Sequence, residues 1–255
     1  MIQKIKDIVR EASKLMQTDI FEINEKDGVA NIVTSSDVAV ENYLKEKLAE
    51  LLPGSGFLCE EEDEHNLGHE YTWIIDPIDG TANYARGIRE CAICVGLRHN
   101  EDMAAAVVFL PRTGEMFWAE RGKGAFLGDK QIKVSEREFK NSVLCTALAV
   151  YHKEHARVCS EIIVDAFEQI NDIRRFGAAA PELCFLAIGR CELYFEYILS
   201  PWDFAAASLI LEEAGGCLCD LDGKKLDQTK ATGVIAANNP ENLAKLLAIV
   251  KMHIF

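Results

Sequence analysis

The sequence has few basic residues for its length and no long apolar run. Lys and Arg number 27 against 41 Asp and Glu, which gives a net charge of −14 over 255 residues. This shortage of positive charge argues against nucleic-acid and anionic-membrane surfaces, because both require basic patches. No stretch approaches the roughly 20 apolar residues of a membrane-spanning helix. The amphipathic start MIQKIKDIVREASKLM lacks the apolar segment of a signal peptide. We therefore expect a cytoplasmic protein without nucleic-acid or membrane partners.

Cysteine is present, but not in a pattern typical of disulfides or metal sites. The nine cysteines are an odd number, and several lie in apolar runs such as CAICVGL and GGCLCDL, which predicts buried free thiols. Cys91 and Cys94 form a single C-x-x-C within a strand-like run, and a lone pair is weak evidence for zinc. His65 and His69 lie in the polar stretch EDEHNLGHE, which favours a solvated loop.

The apolar pattern predicts helices at both ends of the chain and alternating strands and helices after Ser142. Thr34-Ser35-Ser36-Asp37 matches a capping box that opens a helix. We predict a strand over residues 71–75, a strand over 143–149 and a helix over 152–170. No segment resembles a flexible linker. We therefore predict one domain, residues 1–255, of two packed halves that divide near residues 140–150, with layered helices and sheets.

The stretch TWIIDPIDGTANY places two carboxylates at the end of a predicted buried strand. Asp76 and Asp79 flank Pro77-Ile78, and two carboxylates held there would repel each other. A hard cation such as Mg²⁺, which accepts carboxylate and carbonyl oxygens, would make the arrangement favourable, with the Ile78 carbonyl as a further ligand. The alternative is an Asp-Pro turn followed by an Asp-Gly turn. The spacing alone leaves both open.

Five further positions extend this hypothesis, and each has a structural alternative. Gly80 and Thr81 could begin a helix whose amides bind an anion. Glu60 is the first acid after an apolar strand, although charge runs such as Glu60–Glu62 are usually solvated. Asp37 fits a capping box, and Asp203 in SPWDFAAAS suits the first turn of a helix.

Taken together, these segments resemble the inositol monophosphatase family over almost the whole chain. The resemblance rests on VTSSD (Val33–Asp37), Glu60-Glu61, WIIDPIDGTAN (Trp73–Asn83), ERGKGAF (Glu120–Phe126) and PWDFAAASLILEEAGG (Pro201–Gly216). It implies an αβαβα sandwich of the layered α/β (α+β) class. It also implies a lithium-sensitive, Mg²⁺-dependent phosphomonoesterase that is usually a homodimer. The expected substrate is a small sugar or polyol phosphate, foremost inositol 1-phosphate.

The resemblance also implies roles for individual residues. Glu60, Asp76 and the Ile78 carbonyl would bind one Mg²⁺, and Asp76, Asp79 and Asp203 a second; a third ion would lie near Glu60. Thr81 and Glu60 would orient and deprotonate the attacking water, supported by Asp37. The substrate contacts would be Asp79, Gly80, Thr81, Ala179, Glu196 and Asp203, with Gly80 and Thr81 on the phosphate and Ala179 and Glu196 on the alcohol. Lys26 matches a basic residue found upstream of VTSSD in relatives.

Several positions depart from the family pattern. Cys59 replaces a common glycine, and Glu62 extends the acidic run, so Glu61 could share the role of Glu60. Ala178 and Asn31 replace residues common in relatives and bear on substrate choice. Relatives act on fructose 1,6-bisphosphate, histidinol phosphate or 3′-phosphoadenosine 5′-phosphate, and these substrates stay open. A second alternative is a regulatory binding protein that keeps the fold, since some relatives are linked to RNA polymerase or ribosome assembly.

Overall fold

A computed structural model of the chain describes residues 1–17, 23–25, 32–61 and 67–254. Lys26, Asn31, Glu62 and His65, discussed above, lie outside these residues. The helices are α1 (Ile2–Ala12), α2 (Ser35–Leu51), α3 (Thr81–Ala85), α4 (Ala156–Phe167), α5 (Ala179–Ala187), α6 (Pro201–Glu213) and α7 (Pro240–Ile254). Among the described residues, none of these helices has the length and apolar character needed to cross a membrane.

Two large sheets and one short two-stranded ribbon contain the strands. The ribbon pairs β1 (Ile23–Glu25) with β2 (Ile32–Thr34). The seven-stranded sheet follows chain order: β3 (Gly56–Cys59), β4 (Tyr71–Asp79), β5 (Ala92–His99), β6 (Asp102–Leu110), β7 (Glu115–Glu120), β8 (Ala125–Leu127) and β9 (Lys130–Ile132). The other strands are β10 (Val143–Thr146), β11 (Asp172–Arg174), β12 (Leu193–Leu199), β13 (Cys217–Cys219) and β14 (Thr232–Ala237). These five form a second sheet in the order β11-β10-β12-β14-β13.

Three apolar clusters stack the helices and sheets into five layers. The first packs α1 and α2 on the outer face of the seven-stranded sheet. The second buries α5 and α6 between the two sheets. The third packs α4 and α7 on the far face of the five-stranded sheet. This α-β-α-β-α order confirms the predicted layered fold, and it places α5 and α6 where both sheets can contact them.

The capping box that the sequence predicts at the start of α2 is present. The Thr34 side chain accepts a hydrogen bond from the Ser36 amide at 3.2 Å, and Asp37 Oδ2 accepts the Thr34 amide at 2.8 Å. These contacts satisfy amides that a helix start otherwise leaves without partners. Asp37 is thereby fixed, fully buried, beside the end of β4.

Three predicted element ends differ from the structure. The strand predicted over residues 71–75 continues to Asp79, because an irregularity in the ladder accommodates Pro77. The strand predicted over 143–149 ends at Thr146, before a turn in which Ala149 has a positive φ of 48°. The helix predicted over 152–170 begins with a short 3₁₀ turn and ends at Phe167.

Candidate active site

A β-bulge turns both carboxylates of the DPID stretch toward the middle layer. Residues three apart on a regular strand face opposite sides of the sheet. Here Asp76 pairs with Cys94 and Asp79 pairs with Ala92, so β4 contains one more residue than β5 between these pairs. Cys94 and Ala92 both pack in the middle cluster, whereas Ile78 packs in the outer one. Asp76 and Asp79 therefore face α5 and α6 side by side.

Glu60 and Asp203 reach the same place from different elements. The parallel pairing of β3 and β4 sets Cys59 opposite Ile75, so the next residue, Glu60, lies beside Asp76. Its carboxyl is within hydrogen-bond reach of the Asp76 side chain. Asp203 is in the first turn of α6, where its Oδ2 accepts the Ser200 amide at 2.7 Å. The structure thus brings these four acids together.

The acids destabilise one another's charged forms. Burial raises the pKa of Asp76 well above its usual value, and Glu60, Asp79 and Asp203 raise it further. Burial, followed by the charges of Asp79 and Glu60, does the same to the pKa of Asp203. Burial also raises the pKa of Asp79 to about 7, although the Ala180 amide opposes the shift. Such groups cluster at functional sites more often than elsewhere.

The carboxylate oxygens at this site are the type of ligand that a hard cation prefers, but they are not arranged as a preformed binding site. Asp76 Oδ1 is buried and has no hydrogen-bond partner among the described residues. An uncompensated buried carboxylate oxygen is costly, and a cation is one way to satisfy it. Among the described residues, no three Asp, Glu, His or Cys side chains converge closely enough to hold an ion as placed.

Thr81 connects the bulge to the buried carboxylate at the start of α2. Its hydroxyl lies 3.1 Å from Asp37 Oδ1 and 2.9 Å from the Ile78 carbonyl, and both are acceptors. The other carboxylate oxygen of Asp37 is already occupied by the Thr34 amide. Asp37 therefore holds Thr81, and the Ile78 carbonyl points toward the same hydroxyl.

Gly80 is required by both conformation and space. Its φ of 82° lies in the left-handed region, which side chains with a Cβ rarely adopt. A Cβ on Gly80 would lie 2.9 Å from Ala178 Cβ and 3.0 Å from the Glu90 carbonyl oxygen. The backbone between Asp79 and α3 therefore fits tightly under the turn before α5.

The side of the site that faces Asp79 comes from the second half of the chain. It contains Ala179, Ala180 and Glu196 and is called the facing wall below. The Ala180 amide donates to Asp79 Oδ2 at 2.7 Å, which places the start of α5, including Ala179, at the site. Glu196 on β12 is half-buried, and its Oε2 accepts the Tyr194 hydroxyl at 2.7 Å. Burial raises the pKa of Glu196 to about 7. The field of Glu196 contributes to the raised pKa of Asp79, so the two carboxylates lie near each other.

Three residues around the site were missed by sequence reasoning. Glu182 on α5 accepts two amides of the turn that precedes the helix. Glu41 on α2 is 3% exposed and accepts the Glu61 amide at 3.0 Å, next to Glu60. Asn83 joins α3 to the carbonyl of Phe176. Glu41 and Glu182 could have been noticed as acids inside apolar runs, AVENYL and APELCF.

The prediction of free, mostly buried thiols is confirmed, and the two cysteines of the C-x-x-C pack in different apolar clusters. Each of the nine cysteines is a free thiol, and only Cys217 among them is partly exposed. Cys94 lies in β5, where it pairs with Asp76 of β4, and its side chain belongs to the apolar cluster between the two sheets. His69 is half-buried, and its Nδ1 lies 2.8 Å from the Gly54 carbonyl oxygen.

A family model and individual relatives among known proteins both match almost the whole chain. A sequence model described as the inositol monophosphatase family matches residues 1–254. The chain is 34% identical over 254 residues to an inositol-1-monophosphatase of Caulobacter vibrioides, covering 95% of this chain and 99% of that protein. It is also 34% identical over 232 residues to a Nus factor SuhB of Salmonella typhimurium, covering 90% of this chain and 86% of that protein.

A solved structure agrees in fold. The extragenic suppressor protein suhB of Bartonella henselae superposes with a TM-score of 0.84 at 30% identity, covering 99% of this chain and 96% of that one. The sequence match, the layered fold and the acids gathered at the bulge all agree with the resemblance found in the motifs. This chain belongs to the inositol monophosphatase family.

Proposed function

We propose that this protein is a Mg²⁺-dependent phosphomonoesterase for a small sugar or polyol phosphate, with inositol 1-phosphate as the first candidate. The observation that carries this proposal is the proximity of Glu60, Asp79 and Asp203 to Asp76, whose buried Oδ1 has no hydrogen-bond partner among the described residues. This acidic surface would repel a phosphate unless cations reverse the local charge. Family membership and the name of the Caulobacter relative support the same chemistry.

In this proposal the acids hold two or three Mg²⁺ ions. Glu60, Asp76 and the Ile78 carbonyl would bind one ion. Asp76, Asp79 and Asp203 would bind a second, and a third would lie near Glu60. Bound there, Mg²⁺ supplies Lewis-acid stabilisation of phosphoryl charge and makes water easier to deprotonate.

The other groups of the site orient the reactants. The Thr81 hydroxyl, which has Asp37 as its acceptor, keeps oxygen lone pairs free to accept a hydrogen bond from the attacking water. Glu60 is half-buried beside Asp76 and would take the proton of that water. The amides of Gly80 and Thr81 would hold phosphate oxygens. Glu196 and the Ala179 backbone, on the facing wall, would contact the alcohol.

The test is phosphate release with Mg²⁺ from inositol 1-phosphate, fructose 1,6-bisphosphate, histidinol phosphate and 3′-phosphoadenosine 5′-phosphate. Asp79→Asn is the control and should abolish turnover with little loss of folding, because it removes a repulsive carboxylate. Preference for inositol 1-phosphate supports the full proposal. Preference for another of the four substrates keeps the proposed mechanism and changes only the assigned substrate. Turnover by Asp79→Asn close to the wild-type rate would contradict the metal assignment.

A regulatory binding role is the second candidate, favoured by the Salmonella relative that carries the name Nus factor. The absence of a nucleic-acid partner stays a prediction from the charge of −14. Folded protein that binds Mg²⁺ but releases no phosphate from any of the four substrates would favour the regulatory role. Light scattering in solution tests the homodimer that the resemblance implies.

A further inference from the structure

The turn of residues 175–178, between β11 and α5, leads into the amides that bind Asp79. The Ala180 amide donates to Asp79 Oδ2 at 2.7 Å, and the Ala179 amide also bonds this carboxylate. Both donors belong to the first turn of α5. The direction of the Asp79 carboxylate therefore depends on where the preceding turn places the start of α5.

Glu182 holds that turn from inside the protein. Its side chain is buried, with the residue 2% exposed, and its Oε1 accepts the Phe176 amide at 2.6 Å and the Gly177 amide at 2.9 Å. No salt bridge to Glu182 occurs within the residues that the structure describes. A buried carboxylate without a cation is costly, so two amide contacts at the base of this turn are its principal compensation.

Asn83 holds the same turn from the opposite side. Its Nδ2 donates to the Phe176 carbonyl at 2.8 Å and to the Glu90 carbonyl at 2.7 Å. Phe176 thus has its amide bound by Glu182 and its carbonyl bound by Asn83. The turn is fixed between α5 and the segment that follows the bulge, and it has little freedom to move independently of Asp79.

We propose that Glu182 is a positioning residue for the cation site: by holding the amides of Phe176 and Gly177, it orients the Ala180 amide and through it the Asp79 carboxylate. This inference rests on the proposed function, because it takes Asp79 as a Mg²⁺ ligand. Glu182 touches neither the ion nor the substrate. Groups that orient metal ligands typically change metal affinity about 10- to 100-fold when they are removed.

Three substitutions separate the hydrogen-bond acceptor from the ionisable carboxyl group. Glu182→Gln keeps a carbonyl oxygen for the two amides and removes the ionisable group. Glu182→Asp keeps the carboxyl group but withdraws the acceptor by one methylene. Glu182→Ala removes both. The matched control is Glu192→Ala: Glu192 is also buried and accepts the Val143 amide at 2.9 Å, but its other partners are Ser135 and Arg137, not the turn before α5.

The measurement is the Mg²⁺ concentration that half-saturates the site, obtained as a dissociation constant by fitting the logarithmic rise of the melting temperature with Mg²⁺; it reports binding without turnover. We expect Glu182→Ala to raise this concentration about tenfold and Glu182→Asp to raise it as well. Glu182→Gln should stay within about twofold of wild type. Glu192→Ala should lower the melting temperature without changing the half-saturating Mg²⁺, because it destabilises a region away from Asp79.

The possible results distinguish this inference from the proposed function. If Glu182→Ala and Glu182→Asp bind Mg²⁺ like wild type while Asp79→Asn does not, Glu182 has no positioning role and the metal site stands. If Asp79→Asn keeps the wild-type response to Mg²⁺, the assignment of Asp79 as a Mg²⁺ ligand is wrong. If Glu182→Ala does not fold, Glu182→Asp decides, since it retains the buried carboxyl group and most of the side-chain volume.

Discussion

The Thr81 hydroxyl lies 3.1 Å from Oδ1 of Asp37, a residue 44 positions earlier in the chain. Asp37 is fully buried and also accepts the Thr34 amide, so the capping box of α2 doubles as the support of Thr81. Burial raises the pKa of Asp37, whereas the hydrogen bonds from Thr34 and Thr81 oppose that shift. One carboxylate thus serves both a helix start and the proposed catalytic hydroxyl.

We expect Thr81→Val to lower kcat about 100-fold, the lower end of the range for proton-transfer groups. Thr81→Ser retains the hydroxyl and should keep most of the activity. Asp37→Asn should lower kcat too, and the double variant with Thr81→Val should be no worse than the poorer single variant, because the two residues act as one unit. The kcat of each of the four variants is measured from steady-state phosphate release. Additive losses would show that Asp37 and Thr81 act independently.

Gly80→Ala should cost both stability and activity. A left-handed residue with a Cβ costs about 1–2 kcal/mol, and here the Cβ would also lie 2.9 Å from Ala178 Cβ. Overpacking of this kind typically adds about 1–3 kcal/mol. Denaturant unfolding measures the change in the free energy of unfolding.

Gly114→Ala is the matched control for Gly80→Ala. Gly114 has a φ of 73°, but nothing lies within 4 Å of the position that a Cβ would take there. It should therefore show the backbone strain alone and leave turnover unchanged. Equal destabilisation by the two substitutions would mean that the close approach to Ala178 relaxes without cost.

The metal-free protein should lose stability as the pH rises from about 5 to 8. Burial raises the pKa of Asp79 to about 7 and that of Glu182 to about 8, against about 4 for the same groups in an unfolded chain. In this window the folded state binds more protons than the unfolded state, so the free energy of unfolding falls with rising pH.

Urea unfolding in EDTA at several pH values tests this prediction. Asp79→Asn removes one of the titrating groups, so its stability should fall less steeply with pH. Added Mg²⁺ should restore most of the loss at pH 8, because cations favour the ionised acids. A metal-free stability that rises over this pH range would contradict the raised pKa values.

Glu196→Gln should change substrate preference more than maximal rate. Glu196 lies on the facing wall, where its carboxylate accepts the Tyr194 hydroxyl and faces the space proposed for the alcohol. Ratios of kcat/KM across the four phosphate esters are the measurement. Glu136→Gln, at a side chain that is 88% exposed, is the control. Unchanged ratios would exclude Glu196 from alcohol recognition.

Local sequence patterns singled out Asp76 and Asp79 but did not predict the β-bulge that turns both to the same face of the sheet. The spacing of Asp76 and Asp79 left a shared cation site and two plain turns both open, and a regular strand would have turned the two residues to opposite faces. The bulge that prevents this depends on the register with Cys94 and Ala92, which no pattern within β4 specifies. Three-residue strands such as β8 and β11 are too short to show alternation, and they were not predicted.

The contacts of Glu182 and Glu41 were beyond sequence reasoning for a different reason. Their partners are backbone amides, and amides are present at every non-proline residue, so side-chain identity gives no signal. The same holds for Glu213, which accepts the Gly122 and Gly124 amides at 2.8 Å each. That contact joins the ERGKGAF and LEEAGG segments, which the sequence shows only as separate motifs.

The hydrogen bond from Ala180 to Asp79 spans 101 residues of chain. Contacts of such separation form only after the loop-closure entropy of the intervening segment has been overcome. Each sheet can assemble from nearer neighbours before the two halves dock across α5. During refolding from urea, Mg²⁺ binding should therefore recover later than far-ultraviolet circular dichroism, and the delay would give the rate at which the two halves join.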